Sequence, residues 1–156
     1  MVPTEAETAD REIVVTRVLD ATRDVVFDAW TDAENVAQWW GPDGFTCTLQ
    51  EFDATPGGIW RMVLRRPDGA EFANKSMFTE VDPPSRLAYT HYGPEGGPSL
   101  LFDATVNFAE AGAGTEITMR MLFQSTAERD YLVNEFAGID AANQTLERLA
   151  QYLANN

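Results

Sequence analysis

Six segments between residues 45 and 123 alternate apolar and polar residues, and each is separated from the next by a short run of turn-forming residues. The alternation predicts strands at 45–52, 59–65, 71–81, 86–92, 100–108 and 115–123. Connections such as Pro67-Asp-Gly69 are too short to hold a crossover helix, so neighbouring strands must run antiparallel. The middle of the chain therefore predicts an antiparallel sheet.

The alternation also predicts which face of this sheet is buried, because successive side chains of a strand point to opposite faces. Polar residues such as Arg61, Asp103 and Arg120 share one face. The opposite face is predicted to be apolar and to carry Trp60, Met62, Tyr89, His91, Phe102, Met119 and Met121.

Helices are predicted on both sides of this run of strands. A β-branched segment at 12–19 predicts a first strand, and Thr22 and the capping-box pattern from Thr31 to Glu34 predict the starts of two short helices. A second capping box, from Ser125 to Glu128, begins a long C-terminal helix. Its apolar stripe is Leu132, Phe136, Ile139, Leu146, Leu149 and Leu153, of which we expect Leu132, Phe136, Ile139 and Leu146 to be buried. Such a helix must pack on the apolar face of the sheet, which predicts an α+β domain.

One polar residue interrupts the helical stripe. Asn143 lies four residues after Ile139 and three before Leu146, so we expect it to point along the buried face, with Gly138 reducing the bulk nearby. Three interpretations are open: a hydrogen bond to the sheet or an ordered water, a contact with a ligand in a cavity, or exposure to solvent.

His91 is the one histidine, and its interpretation also stays open among a catalytic group, a polar group of a pocket and a satisfied structural residue. Trp39 and Trp40 are expected to close one end of the space between helix and sheet. Cys47 is the one cysteine and is predicted to be a buried, inert thiol.

Composition restricts the classes of partner. Eleven basic residues against 25 acidic ones give a net charge of −14, which disfavours nucleic acids and anionic membrane surfaces. No apolar stretch is long enough for a membrane span, and the acidic residues 1–10 predict a disordered tail without the features of a signal peptide. We expect one domain over residues 11–156, in the cytoplasm, without a metal or other cofactor.

Several segments, taken in order, resemble a known family. They are 11–21, 29–32, 39–45, 56–60, 86–90 and 144–149, including Trp39-Trp-Gly-Pro-Asp-Gly-Phe45 and Gln144-Thr-Leu-Glu-Arg-Leu149. Together they are similar to the family named after an activator of the heat-shock-protein-90 ATPase, within the START-like (SRPBCC, Bet v 1-like) superfamily. The resemblance implies a helix-grip fold: a seven-stranded curved antiparallel sheet wrapped around a long C-terminal helix, with two short helices after the first strand. It also implies a hydrophobic cavity between the sheet and that helix.

Three functions are compatible with the sequence. The leading one is the binding of a small, mostly apolar molecule, in a cavity lined by Trp60, Met62, Tyr89, His91, Phe102, Met119, Met121, Phe136, Ile139 and Asn143. The alternatives are a chaperone-associated or stress-response interaction module, and a cyclase- or hydrolase-type enzyme that uses His91 with Tyr89 or Asp140 in the same cavity. A homodimer is left open.

Overall fold

The structure is a computed structural model that describes residues 11–94, 102–136 and 138–154. The predicted tail at 1–10 and the predicted start of a strand at residue 100 lie outside these residues, as does the side chain of Phe136. Seven strands are present in the described part: β1 (Glu12–Leu19), β2 (Thr46–Phe52), β3 (Ile59–Arg65), β4 (Glu71–Asp82), β5 (Arg86–Pro94), β6 (Phe102–Ala111) and β7 (Gly114–Phe123). The helices are α1 (Arg23–Thr31), α2 (Ala33–Trp39), α3 (Thr126–Phe136) and α4 (Gly138–Ala154).

All seven strands form one antiparallel sheet in the order β1-β7-β6-β5-β4-β3-β2. The strands β2 to β7 neighbour one another in chain order, and α1 and α2 together span the distance between the edge strands β1 and β2. This is the α+β, helix-grip architecture that the sequence predicted. None of the helices in the described residues is long and apolar enough to span a bilayer.

The alternation of the strands produces the core as expected. On β6 the residues Phe102, Ala104, Val106 and Phe108 are buried, and on β7 the residues Ile117, Met119, Met121 and Phe123 are buried. The first helices add Trp30 and Trp39, whose rings meet edge to face at 5.0 Å. The opposite face of β1 is exposed, as the half-exposed Val14 and Val18 show.

One of the two predicted helix starts needs correction, and the other is confirmed in position. The predicted capping box at Thr31 is wrong: Thr31 is the last residue of α1, and Asp32 caps α2 by accepting a hydrogen bond from the Glu34 amide at 2.9 Å. Thr22 occupies the N-cap position of α1 without a side-chain hydrogen bond. Asp is as good a cap as Thr, so the pattern located the helix start to within a residue.

The C-terminal helical segment is described in two stretches, α3 and α4, on either side of residue 137, which lies outside the described residues. The Ser125 cap of α3 is confirmed, since its hydroxyl accepts a hydrogen bond from the Glu128 amide at 3.1 Å. The buried side of α4 carries Ala142, Thr145, Leu146 and Leu149, which follow the i, i+3, i+4, i+7 spacing of one helical face. This face lies against the concave side of the sheet and contributes to the core.

Candidate functional site

A pocket of about 540 Å³ lies between the concave face of the sheet and the helices α3 and α4. This volume is within the usual range of small-molecule sites. Its sheet wall is mostly apolar and includes Met62, Phe102, Met119 and Met121. The helix wall is formed by Leu132, Asn134, Ala141, Ala142 and Thr145. Because three of these five helical residues are Ala or Thr, α4 leaves room that larger side chains would fill.

The loop after α2 forms the end of the pocket through Trp40, Gly41, Pro42 and Phe45. The ring of Trp40 packs against Trp60 with centroids 4.6 Å apart. Gly41 has a φ of +110°, a backbone conformation that favours glycine, and a Cβ there would lie 3.1 Å from the Leu64 side chain. The loop can therefore pass close to β3 only with glycine at this position.

Two residues of α4 hold this loop in place. Arg148 Nη1 donates to the carbonyl oxygens of Trp40 at 3.4 Å, Gly41 at 3.0 Å and Pro42 at 2.9 Å. Gln144 Oε1 accepts a hydrogen bond from the Asp43 amide at 3.1 Å. The segments 39–45 and 144–149, which are far apart in the sequence, thus meet at one wall of the pocket.

A polar strip lies on β4 and β5, where Asn74 and His91 reach the pocket wall and Ser76 is buried beside them. Ser76 Oγ and His91 Nδ1 are hydrogen-bonded at 3.1 Å, and the His91 ring stacks on Phe102 with centroids 4.7 Å apart. Burial lowers the pKa of His91 to about 4, so the imidazole is neutral at neutral pH. Asn74 is also in this strip, and its amide nitrogen donates to the Phe72 carbonyl at 3.0 Å.

Tyr89 lies on the same strand as His91, at the Trp60 side of the strip. Its ring is 5.4 Å from Trp60, and only 3% of the residue is exposed. Burial raises the pKa of its hydroxyl, which therefore stays protonated. Within the part of the chain that the structure describes, this hydroxyl makes no hydrogen bond, although Tyr89 lines the pocket.

Cys47 is beside the pocket and is only partly buried. Its Sγ lies 3.8 Å from Met62 Sδ. Burial raises the pKa of the thiol to about 11, against the opposing charge of Arg148. The thiol is therefore protonated at neutral pH, as an inert cysteine should be.

Six of the ten residues predicted for the cavity wall line this pocket: Met62, Tyr89, His91, Phe102, Met119 and Met121. Trp60 is buried behind the wall, where it packs against Trp40 and stacks at 5.8 Å on Phe78. The side chain of Phe136 lies outside the described residues.

The predicted positions of Ile139 and Asn143 are wrong. Both are exposed, and Asn143 Nδ2 donates to the Ile139 carbonyl of its own helix at 3.1 Å. The predicted stripe was drawn through the large apolar residues alone, and Asn143 lies on the line between Ile139 and Leu146. The buried face is instead centred on the small residues Ala142 and Thr145, and residue 143 is turned away by about 100° from residue 142. Asp140, considered as a catalytic partner of His91, is likewise exposed.

Sequence analysis missed several wall residues, above all Asn74, Ala142 and Thr145. A signal for the helical pair was present, since Ala142, Thr145, Leu146 and Leu149 have the spacing of a single helical face. For Asn74 the signal was the alternation of β4, because Asn74 lies two residues before Ser76 and four before Phe78 and therefore shares their face of the sheet.

Comparison with solved structures finds the same fold. A protein from Arthrobacter aurescens matches with a TM-score of 0.87 at 21% identity, over 96% of this chain and 89% of that one. A protein from Nitrosomonas europaea matches with a TM-score of 0.81 at 23% identity, over 94% and 96%. A protein from Chromobacterium violaceum matches with a TM-score of 0.79 at 26% identity, over 90% and 95%.

No curated protein matches the sequence. The model of one protein family, described as Activator of Hsp90 ATPase homolog 1-like protein, matches residues 20–154. This match includes α1 to α4, β2 to β7 and every residue that lines the pocket. The chain therefore belongs to the Activator of Hsp90 ATPase homolog 1-like family.

Proposed function

We propose that this protein binds a small, mostly apolar molecule in the pocket between the sheet and α4. The observation that carries the proposal is the pocket itself: about 540 Å³ of space with a mostly apolar wall and a few polar groups. Small-molecule sites have this composition. The family's fold is known for ligand binding, which supports the same function.

The catalytic alternative has less support from the surroundings of His91. General acid–base chemistry with a carboxylate requires that group within hydrogen-bond reach. The hydrogen bond of His91 is to the Ser76 hydroxyl, and none to a carboxylate is present in the described residues. Ser76 is itself 2% exposed and is not part of the pocket wall. The chaperone-associated alternative stays a prediction.

Filling the pocket tests the proposal. Ala142 is 7% exposed and lines the pocket, so Ala142→Phe places a ring in the space that a ligand would occupy. We expect the variant to fold and to lose at least about tenfold in affinity for an apolar fluorescent probe such as 1-aminoanthracene. Titrations followed by probe fluorescence measure the change, and circular dichroism checks the fold.

Ala127→Phe is the matched control, because Ala127 is an exposed helical alanine that does not line the pocket. Thr145→Phe fills the same space from the next turn of α4 and serves as a second variant if Ala142→Phe is unstable. Probe affinity that is equal in wild type, control and a folded filled variant would contradict binding in this pocket.

A further inference from the structure

The Tyr89 hydroxyl is a polar group of the pocket wall that makes no hydrogen bond within the described residues. The residue is 3% exposed, so bulk water reaches it poorly. Its ring is fixed between aromatic neighbours, 5.4 Å from Trp60 and 6.2 Å from Phe78. The hydroxyl oxygen is not among the side-chain atoms that are cut off from solvent without a partner, and Tyr89 lines the pocket, so a molecule in the pocket can reach it. A ligand that covers the hydroxyl without accepting its hydrogen bond would leave a buried polar group unpaired, which costs free energy.

The pocket around this hydroxyl selects against charged ligands. Apart from Tyr89 and Arg66, the polar side chains of its wall are the uncharged groups of His91, Asn74, Asn134 and Thr145. Arg66 is the charged residue among the wall residues, and it is exposed and already paired with Asp68 at 2.8 Å. A ligand carboxylate placed deep in the pocket would be desolvated without a cation beside it, which is costly.

The protonation state of the hydroxyl determines which kind of ligand atom can form a hydrogen bond with it. Because the phenol is protonated, it offers one O–H donor at a fixed position on a rigid ring. A carbonyl oxygen is a matching acceptor, and it brings no charge into the pocket. The surrounding wall of Met119, Met121 and Phe102 then suits an apolar body next to that oxygen.

We infer that the ligand is a neutral molecule with an apolar body and a carbonyl oxygen that accepts a hydrogen bond from Tyr89. This rests on the proposed function, because it specifies the ligand class of the same pocket. Tyr89 is then the residue that distinguishes such ligands from hydrocarbons of equal shape. Recognition of this kind is selective, since a ligand without the oxygen leaves the buried hydroxyl unpaired.

Three probes of one size test the inference: 2-acetylnaphthalene, 2-isopropylnaphthalene, which replaces the carbonyl oxygen by a methyl group, and 2-naphthoate. Affinities are measured by isothermal titration at pH 7.5 for wild type and for Tyr89→Phe, which removes one oxygen atom. We expect the substitution to weaken the ketone about tenfold and to change the hydrocarbon by no more than about twofold. We expect 2-naphthoate to bind wild type at least about tenfold more weakly than the ketone.

Tyr92→Phe is the matched control, because Tyr92 is on the same strand but is 39% exposed and outside the pocket. It should leave all three affinities unchanged. An unchanged ratio of ketone to hydrocarbon affinity in Tyr89→Phe would overturn the role of Tyr89 while leaving the pocket as a binding site. Tight binding of 2-naphthoate would overturn the neutral class, and the absence of binding by all three probes would overturn the proposed function as well.

Discussion

At the scale of single residues, His91 shows how burial changes the chemistry of a side chain. The ring lies between Ser76 and Phe102, on the pocket wall of β5. Burial lowers its pKa from 6.5 to about 4, because the charged imidazolium loses its hydration there. In the folded protein, His91 is therefore a neutral hydrogen-bonding group across the physiological pH range.

This change in pKa makes stability depend on pH. Between pH 6.5 and 4 the unfolded chain binds a proton at His91 that the folded chain does not, so the free energy of unfolding falls as the pH is lowered through this window. We expect a loss of about 2 kcal/mol between pH 7.5 and pH 5 from this one group. Urea unfolding of wild type and of His91→Gln, measured at both pH values, isolates the effect.

The comparison is clean because His91 is the only histidine in the chain. Glutamine can still bond to Ser76 but does not titrate, and the carboxylates are common to both proteins. In His91→Gln, the free energy of unfolding should fall less between pH 7.5 and 5 than in wild type, by the amount that the histidine contributes. Equal loss of stability in the two proteins between pH 7.5 and 5 would show that the folded state does not lower the pKa of His91.

At the scale of secondary structure, the pocket depends on how α4 holds the loop after α2. Arg148 donates to three consecutive carbonyl oxygens, of Trp40, Gly41 and Pro42. These carbonyl groups lie outside the strands and helices, and that of Pro42 also accepts a hydrogen bond from the Phe45 amide at 3.1 Å. One side chain of α4 therefore connects the helix wall to the end wall of the pocket.

We expect Arg148→Met to lower the free energy of unfolding by about 2 kcal/mol, because hydrogen bonds from a charged donor are lost and three carbonyl groups lose this partner. Methionine keeps much of the side-chain volume, so the effect reports mainly on the lost guanidinium. Urea unfolding followed by tryptophan fluorescence measures stability, together with the environment of the tryptophan cluster that includes Trp40.

Arg61→Met is the control for this prediction, since Arg61 forms an exposed ion pair with Glu51 at 3.2 Å. Such pairs contribute about 0–1 kcal/mol. A loss for Arg148→Met no larger than that of Arg61→Met would contradict the role of Arg148 in holding the loop.

The elements also show what a sequence can and cannot predict. Strands such as β1 and β3 were predicted to the residue, because alternation and turn residues act locally. The outward position of Asn143 was not predicted, because the predicted stripe followed large apolar residues, whereas the packed face of α4 is made of Ala142 and Thr145. The hydrogen bonds of Arg148 join residues more than 100 positions apart, and no local pattern indicates them.

At the scale of the whole molecule, the sheet, α4 and the loop after α2 enclose one pocket. The sheet supplies a wall with three methionines, Met62, Met119 and Met121, whose flexible side chains adapt to different ligand shapes. The helix supplies small residues opposite them. Binding between these layers is the central claim of this account.

Methionine methyl groups test that claim directly. Protein labelled with ¹³C at the methionine methyls is titrated with 2-acetylnaphthalene, and proton–carbon correlation spectra are assigned by single Met→Leu substitutions. Met77 is an internal control, because it does not line the pocket. It lies between Ser76 and Phe78 on β4 and therefore on the opposite face of the sheet from them. We predict that the signals of Met62, Met119 and Met121 shift in a saturable manner while that of Met77 does not move. Saturable shifts at Met77 with the three pocket methionines unchanged would contradict it.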